Sequence, residues 1–98
     1  MNAKDIKTID ITTLTWFDRT YGNTYFAQSI TINFTMPDQM QITNPFQYCY
    51  SSYEFEAIKR IKEVIADFSL REHELRDNGI VLRHTKHENC KQRELKNI

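Results

Sequence analysis

The chain predicts an α+β fold: a three- to four-stranded, mainly antiparallel sheet with one long helix packed on one face, in the order β-β-β-α-β. Three observations carry that expectation. Residues 24–36 alternate with period two, placing Phe26, Ile30, Ile32, Phe34 and Met36 on one face and Tyr25, Ala27, Ser29, Thr31, Asn33 and Thr35 on the other. Residues 57–68 place Ala57, Ile58, Ile61, Val64, Ile65 and Phe68 at i, i+3, i+4 spacing, one apolar helical stripe. Turn formers separate the segments at Gly22-Asn23, Pro37-Asp38 and Asn78-Gly79. A strand meander with one apolar face needs a cover, and an amphipathic helix supplies it as a two-layer sandwich.

Taken in order, residues 6–17, "IKTIDITTLTWF", are rich in the β-branched and aromatic residues that suit a pleated surface. Ile9 and Ile11 fall on one face, Leu14 and Trp16 on the other. Either both faces are covered, or a bulge switches the register between Ile11 and Leu14. Tyr21-Gly22-Asn23-Thr24 then forms a tight turn, with Gly22 and Asn23 supplying positive φ. The second strand is the alternating segment 24–36. After "MPDQ", residues 39–50 form a third strand, with Met40, Ile42, Phe46, Tyr48 and Tyr50 set against polar neighbours. Pro45 lacks a backbone donor, so this strand is expected at an edge or bulged.

Ser51 and Glu54 have the spacing of a capping box, which starts the helix. Leu70 and Leu75 either extend it or begin a short second one, and Asn78-Gly79 ends it. "IVLRHT" from Ile80 is a fourth strand whose place in the sheet is open. Residues 91–98, "KQRELKNI", are charged and expected to be a frayed tail, as a turn or a short helix.

Ninety-eight residues make one domain, 1–98. A domain of this size buries roughly 60–70% of its unfolded surface, so its margin of stability is modest. Two Gly and two Pro argue against disorder and against phosphate-cradling Gly-rich loops. Net charge is zero, so no overall field recruits nucleic acid or an anionic membrane. The halves differ mildly: residues 1–56 carry three basic and six acidic groups, net −3, and residues 57–98 carry ten and seven, net +3. "MNAKDIKTID" lacks the apolar core of a signal peptide, and no apolar run is long enough to span a membrane. Two cysteines, Cys49 and Cys90, make no disulfide framework. The expected setting is a reducing cytoplasm.

The stretch "TWFDRTYGNTYFAQ" concentrates aromatic side chains around one turn. Trp16 and Phe26 are expected to pack toward the helix, with Phe17 and Tyr25 on the opposite side or at the rim and Asp18, Arg19 and Tyr21 at the tip. Cross-strand aromatic pairing explains such a cluster as bracing. Aromatic residues and Arg are also what protein interfaces enrich. Phe17, Asp18, Arg19, Tyr21 and Tyr25 are therefore the candidate partner-binding set.

"WFDRTYGNTYF", followed by "NPFQYCYSSYEFEA" and a "KQREL" tail, resembles small accessory proteins encoded by tailed phages and prophages. Trp16, Phe17, Gly22, Asn23, Thr24, Tyr25, Tyr48, Tyr50, Tyr53 and Leu95 carry the resemblance, which covers most of the chain. Cys49 departs from it, standing where such proteins often have a small residue. The resemblance implies a phage accessory protein and brings no catalytic residues with it.

"HTKHENC" sets His84, His87 and Cys90 three apart, residue types that ligate zinc, with Cys49 as a possible fourth. The spacing lacks a Cys-x-x-Cys or His-x-x-x-His clamp, and residues three apart on a strand face opposite ways. Metal is therefore not expected, and no cofactor is. Cys49 near the helix start has a helix dipole to lower its thiol pKa but no nameable orienting partner. Carboxylates form no paired set. No enzyme is expected. Arg83, Lys86, Lys91, Arg93 and Lys96 gather toward the C-terminus, and sheet aromatics can stack bases, so a nucleic-acid-binding module is the alternative.

The reading is a small phage or prophage accessory protein in the host cytoplasm. It binds a host or phage protein as an inhibitor of a host defence complex, of the anti-CRISPR kind. An uncovered sheet edge also makes a homodimer an expectation.

Overall fold

The computed structural model describes residues 1–49 and 51–98. Tyr50, expected in the third strand and in the aromatic step into the helix, lies outside the described residues. Strands β1 (Thr8–Asp18), β2 (Asn23–Ile32) and β3 (Met40–Tyr48) precede helix α1 (Tyr53–Val64). Strand β4 (Val81–His87) and a short helix α2 (Gln92–Lys96) follow. The sheet order is β3-β2-β1-β4. The first three strands form an antiparallel meander, and β4 lies parallel to β1 at the far edge. This is the α+β arrangement expected, with the fourth strand now placed. A parallel partner requires a crossover, and α1 with its following turns provides it.

Register explains the mixed pattern of β1. Pairing with β2 runs unbroken from Ile9↔Ile32 to Asp18↔Asn23, so no bulge switches its faces. Both faces are covered instead. On one face Ile9, Ile11, Ile30, Ile32 and Ile42 meet Ala57, Ile58, Ile61 and Ile65 of the helix segment, and Phe68, Leu75 and Ile80 close the end of this core. On the other face α2 packs against β1, β2 and β3, and Leu95 is 1% exposed. Of the two forms expected for this tail, the short helix is the one that forms, anchored rather than frayed, and Ala27 beneath that face is fully buried.

Several boundaries move for local reasons. Strand β2 stops at Ile32, short of Phe34 and Met36, because Asn33 adopts a left-handed φ of 56° and Thr35 one of 66°. Asn33 is fully buried, and its amide repays the strain. Its Oδ1 accepts from Lys7 N at 2.7 Å and Thr8 N at 3.2 Å, and its Nδ2 donates to Asp5 O at 2.8 Å. Phe34 and Met36 are consequently exposed. Asn23 begins β2, and the hairpin loop is Arg19–Gly22 with only Gly22 left-handed, φ 71°. Its amide donates to Asp18 O at 2.7 Å.

The helix cap is Ser52, not Ser51: Ser52 Oγ accepts from Phe55 N at 3.1 Å. Helix α1 ends at Val64, which is exposed, and Ile65 breaks to extended backbone. Residues 70–77 do not extend it; two 3₁₀ turns, Glu72–Glu74 and Arg76–Asn78, follow instead. Gly79, with φ 74°, terminates the second turn. Pro45 behaves as expected on both counts: β3 is an edge strand, and its register against β2 shifts between Phe26 and Gln28. Arg60 of α1 also covers this edge, its Nε donating to Thr43 O at 2.9 Å. Strand β4 forms the other edge. Among the described residues no helix is long and apolar enough to cross a membrane.

Candidate functional site

The expected partner-binding set divides. Phe17, Asp18, Arg19 and Tyr21 stay together at the hairpin tip, whereas Tyr25 packs elsewhere. Pairing of Trp16 with Tyr25 and of Thr15 with Phe26 puts Trp16 and Tyr25 on one face and Phe26 on the other. Trp16 therefore faces away from α1, a correction to the expected core position. Trp16, Tyr25 and Phe46 form a cluster, with ring centroids 5.6 Å apart for Trp16–Tyr25 and 5.1 Å for the stacked Tyr25–Phe46 pair. Tyr48 meets Tyr25 edge-on at 5.8 Å. Lys96 of α2 holds its ammonium 5.4 Å from the Phe46 centroid. Two of the five rings in that stretch, Trp16 and Tyr25, thus join Phe46 in the platform on which α2 sits.

What remains at the tip is open. Phe17 is 51% exposed and Tyr21 78%. Asp18 Oδ1 accepts from Thr20 N at 2.9 Å, which holds the loop in shape. After β4 the chain turns at Asn89, left-handed with φ 59°, and Cys90 N donates to Thr15 O at 2.9 Å. That return builds the second wall of a cleft of about 460 Å³ lined by Trp16, Phe17, Asp18, Arg19, Thr20, Asn89 and Cys90. A smaller cleft of about 230 Å³, lined by Thr15, Phe17, Thr24, Tyr53, Glu88 and Asn89, lies on the other side of Phe17. The Phe17 ring therefore stands between two recesses, with a guanidinium and a carboxylate beside one of them. Burial pushes the Cys90 thiol pKa up against the Thr15 backbone contact, which lowers it, so the cleft does not activate this sulfur as a nucleophile.

The zinc-type residues do not converge. His84 lies on the α1 side of β4, and His87, three residues on, faces the other way. Among the described residues no group of three His, Cys, Asp or Glu side chains could hold a metal ion. His84 belongs to a different array. Its Nε2 lies 2.7 Å from Thr13 Oγ1 and its Nδ1 3.5 Å from Glu54 Oε1. Thr13 Oγ1 accepts from Gln28 Nε2 at 3.1 Å, and Gln28 Oε1 accepts from Asn44 Nδ2 at 3.0 Å. Gln28 Nε2 also donates to Tyr53 O at 2.8 Å, tying the sheet to the start of α1. Hydroxyl, imidazole and carboxylate stand in the order used for acyl transfer. Thr13 is fully buried, however, so no substrate carbonyl reaches its hydroxyl. The array satisfies polar groups inside the core. It unites positions 13, 28, 44, 54 and 84, whose separation along the chain hid it from sequence reading.

Cys49 donates its thiol to Ser51 O at 2.9 Å. Burial, foremost, and neighbouring Cys49 raise the Tyr53 pKa.

The basic residues of the nucleic-acid alternative are dispersed and partly engaged. Arg83 pairs with Asp10 through two contacts, 2.6 and 3.0 Å. Lys86 pairs with Glu88 at 3.0 Å and lies 5.6 Å from the Tyr53 ring. Lys86 and Arg83 point to opposite faces of the sheet. Lys91 and Arg93 are exposed.

In comparison with known proteins, the chain matches no family model, no curated protein and no solved structure. The hairpin tip, with Phe17 raised between two clefts, is the candidate site that geometry supports.

Proposed function

We propose that the chain works by binding another protein through its hairpin tip. The observation that carries this reading is the exposure of Phe17 and Tyr21 beside Arg19 on a braced loop, next to an open cleft. Exposed rings and a guanidinium on a rigid element form contact surface at low entropic cost, and these residue types dominate interface energetics. The resemblance to phage and prophage accessory proteins supports the narrower form of the proposal, an inhibitor that engages a host defence complex in the cytoplasm. The cations expected to serve nucleic acid are divided between two faces and partly neutralised by Asp10 and Glu88, which favours a protein partner.

The test uses Phe17→Ala, Arg19→Ala and Tyr21→Ala in a pull-down from host lysate, with a melt on each variant. Exposed substitutions of this kind usually stay within about 0.5 kcal/mol of parental stability. Loss of a stoichiometric protein partner from variants that still fold is the expected result. Undiminished recovery by all three would make the tip architecture only.

A homodimer through the outer edge of β4 is proposed alongside, since a sheet edge carries backbone groups able to pair with a second copy. Light scattering that gives only the monomer mass at micromolar concentration removes it.

A further inference from the structure

Hydrogen-bond roles in the array around His84 all follow from one fixed atom. A backbone carbonyl only accepts, so the Gln28 atom 2.8 Å from Tyr53 O is the Nε2 amide. The same amide donates to Thr13 Oγ1 at 3.1 Å, which makes that hydroxyl an acceptor. Thr13 is fully buried, and among the described residues the receiver of its own proton is His84 Nε2, 2.7 Å away. His84 Nε2 therefore accepts. The ring proton sits on Nδ1, toward Glu54 Oε1 at 3.5 Å.

A second proton on the ring reverses one of these links. Imidazolium donates from both nitrogens, so His84 Nε2 and Gln28 Nε2 would both point protons at Thr13 Oγ1. The Thr13 proton would then have lost its acceptor, and a buried donor left without a partner is costly. The other link gains. At 3.5 Å the Nδ1–Glu54 contact is too long for a good hydrogen bond, and a charged donor draws the carboxylate in. Solvent protons reach the ring, because the His84 side chain is 17% exposed. Around it stand Glu54 and Tyr53 from α1, Lys86 from β4 with its partner Glu88, and Glu72 and His73 from the first 3₁₀ turn. The β1 residues on this face, Ile11, Thr13 and Thr15, do not titrate.

The array also reaches the candidate site. Tyr53, whose carbonyl Gln28 holds, walls the smaller cleft beside Phe17. We propose that His84 is a proton-operated latch on that wall. With its proton on Nδ1 the ring fastens Thr13 and, through Gln28, Tyr53; doubly protonated, it leaves Thr13 for Glu54. What the latch regulates rests on the hairpin-tip reading, whereas the latch itself does not.

The experiment records long-range proton–nitrogen correlations of the imidazole rings in the full-length, nitrogen-labelled chain. The Gln28 side-chain amide and the Tyr53 resonances are followed over about pH 5 to 8, where imidazoles titrate. No partner is needed, so the outcome is independent of whether the tip binds a protein. At the alkaline end His84 should show the Nδ1–H pattern, the form that free histidine disfavours. On acidification Gln28 Nε2 and Tyr53 should shift together with the His84 ring, and not with His73 or His87. Thr13→Val should return the ring to the Nε2–H form and uncouple Gln28 from it, whereas Thr13→Ser, which keeps the hydroxyl, should preserve both. The parental spectra and Thr13→Ser decide the matter even for a Thr13→Val protein that does not fold. An Nε2–H pattern in the parent would overturn the proposal. So would Gln28 and Tyr53 resonances indifferent to the His84 titration, an unchanged ring in folded Thr13→Val, or loss of the pattern in folded Thr13→Ser.

Discussion

Leu95→Ala should cost the protein a large part of its stability, although the residue lies three positions before the end of a charged segment. Leu95 is 1% exposed on a five-residue helix that packs on β1, β2 and β3. Truncation to Ala removes three carbons; at ~0.8 kcal/mol for each buried carbon this is roughly 2.4 kcal/mol, and the cavity left behind brings it to about 2–4 kcal/mol. For a domain of this length that corresponds to a fall in melting temperature of roughly 10–25 °C. The assay is a thermal melt followed by fluorescence, because Trp16 is the single tryptophan and lies in the aromatic platform that α2 covers. Loosening α2 should wet that ring and shift native-state emission to the red. Asn97→Ala, exposed and adjacent, is the control and should melt like the parent. A Leu95→Ala protein within about 2 °C of the parent, with unshifted emission, would refute the reasoning and return residues 91–98 to a loose tail.

Ile61→Ala, at a fully buried position between α1 and the sheet, should lower stability in urea by roughly 2–5 kcal/mol; a loss below about 0.5 kcal/mol would mean that the stripe does not face the sheet. Gln28→Leu should also destabilise despite its added apolar surface. It removes the 3.0 Å acceptor of the Asn44 amide, leaving a longer 3.4 Å contact to Glu56 O, and takes one donor from Tyr53 O, at roughly 1–3 kcal/mol for a buried group left short of partners, and a urea midpoint equal to or above the parent's would show that the network is dispensable.

Local periodicity made much of the fold legible. The i, i+3, i+4 stripe is buried at Ala57, Ile58 and Ile61, where the turn of the α-helix decides which side chains share a face, but Val64 is exposed, and Ile65 and Phe68 are buried from beyond the helix end. Pro45 announced an edge and a bulge through its missing donor. The exposure of the tip residues Phe17, Arg19 and Tyr21 was legible for the same kind of reason, since they flank a turn. Asn33 shows where pattern failed. Alternation carried the strand through Met36, but the contacts of one buried amide with Asp5, Lys7 and Thr8 ended it at Ile32.

The sequence by itself determined the order of the three meander strands, α1 and β4 and the face that the first turns of α1 bury, all of which depend on residues within a few positions of one another. Tertiary structure decided the rest. It placed β4 beside β1, a choice between sheet edges that no local pattern encodes. It also turned Trp16 away from α1 and onto the face that α2 covers. A five-residue helix cannot offset its own nucleation cost in water, so propensity in "QRELK" left a frayed turn and a short helix both open. It forms because Leu95 and Lys96 find the platform of Trp16, Tyr25 and Phe46, assembled from three strands and absent until the sheet has folded.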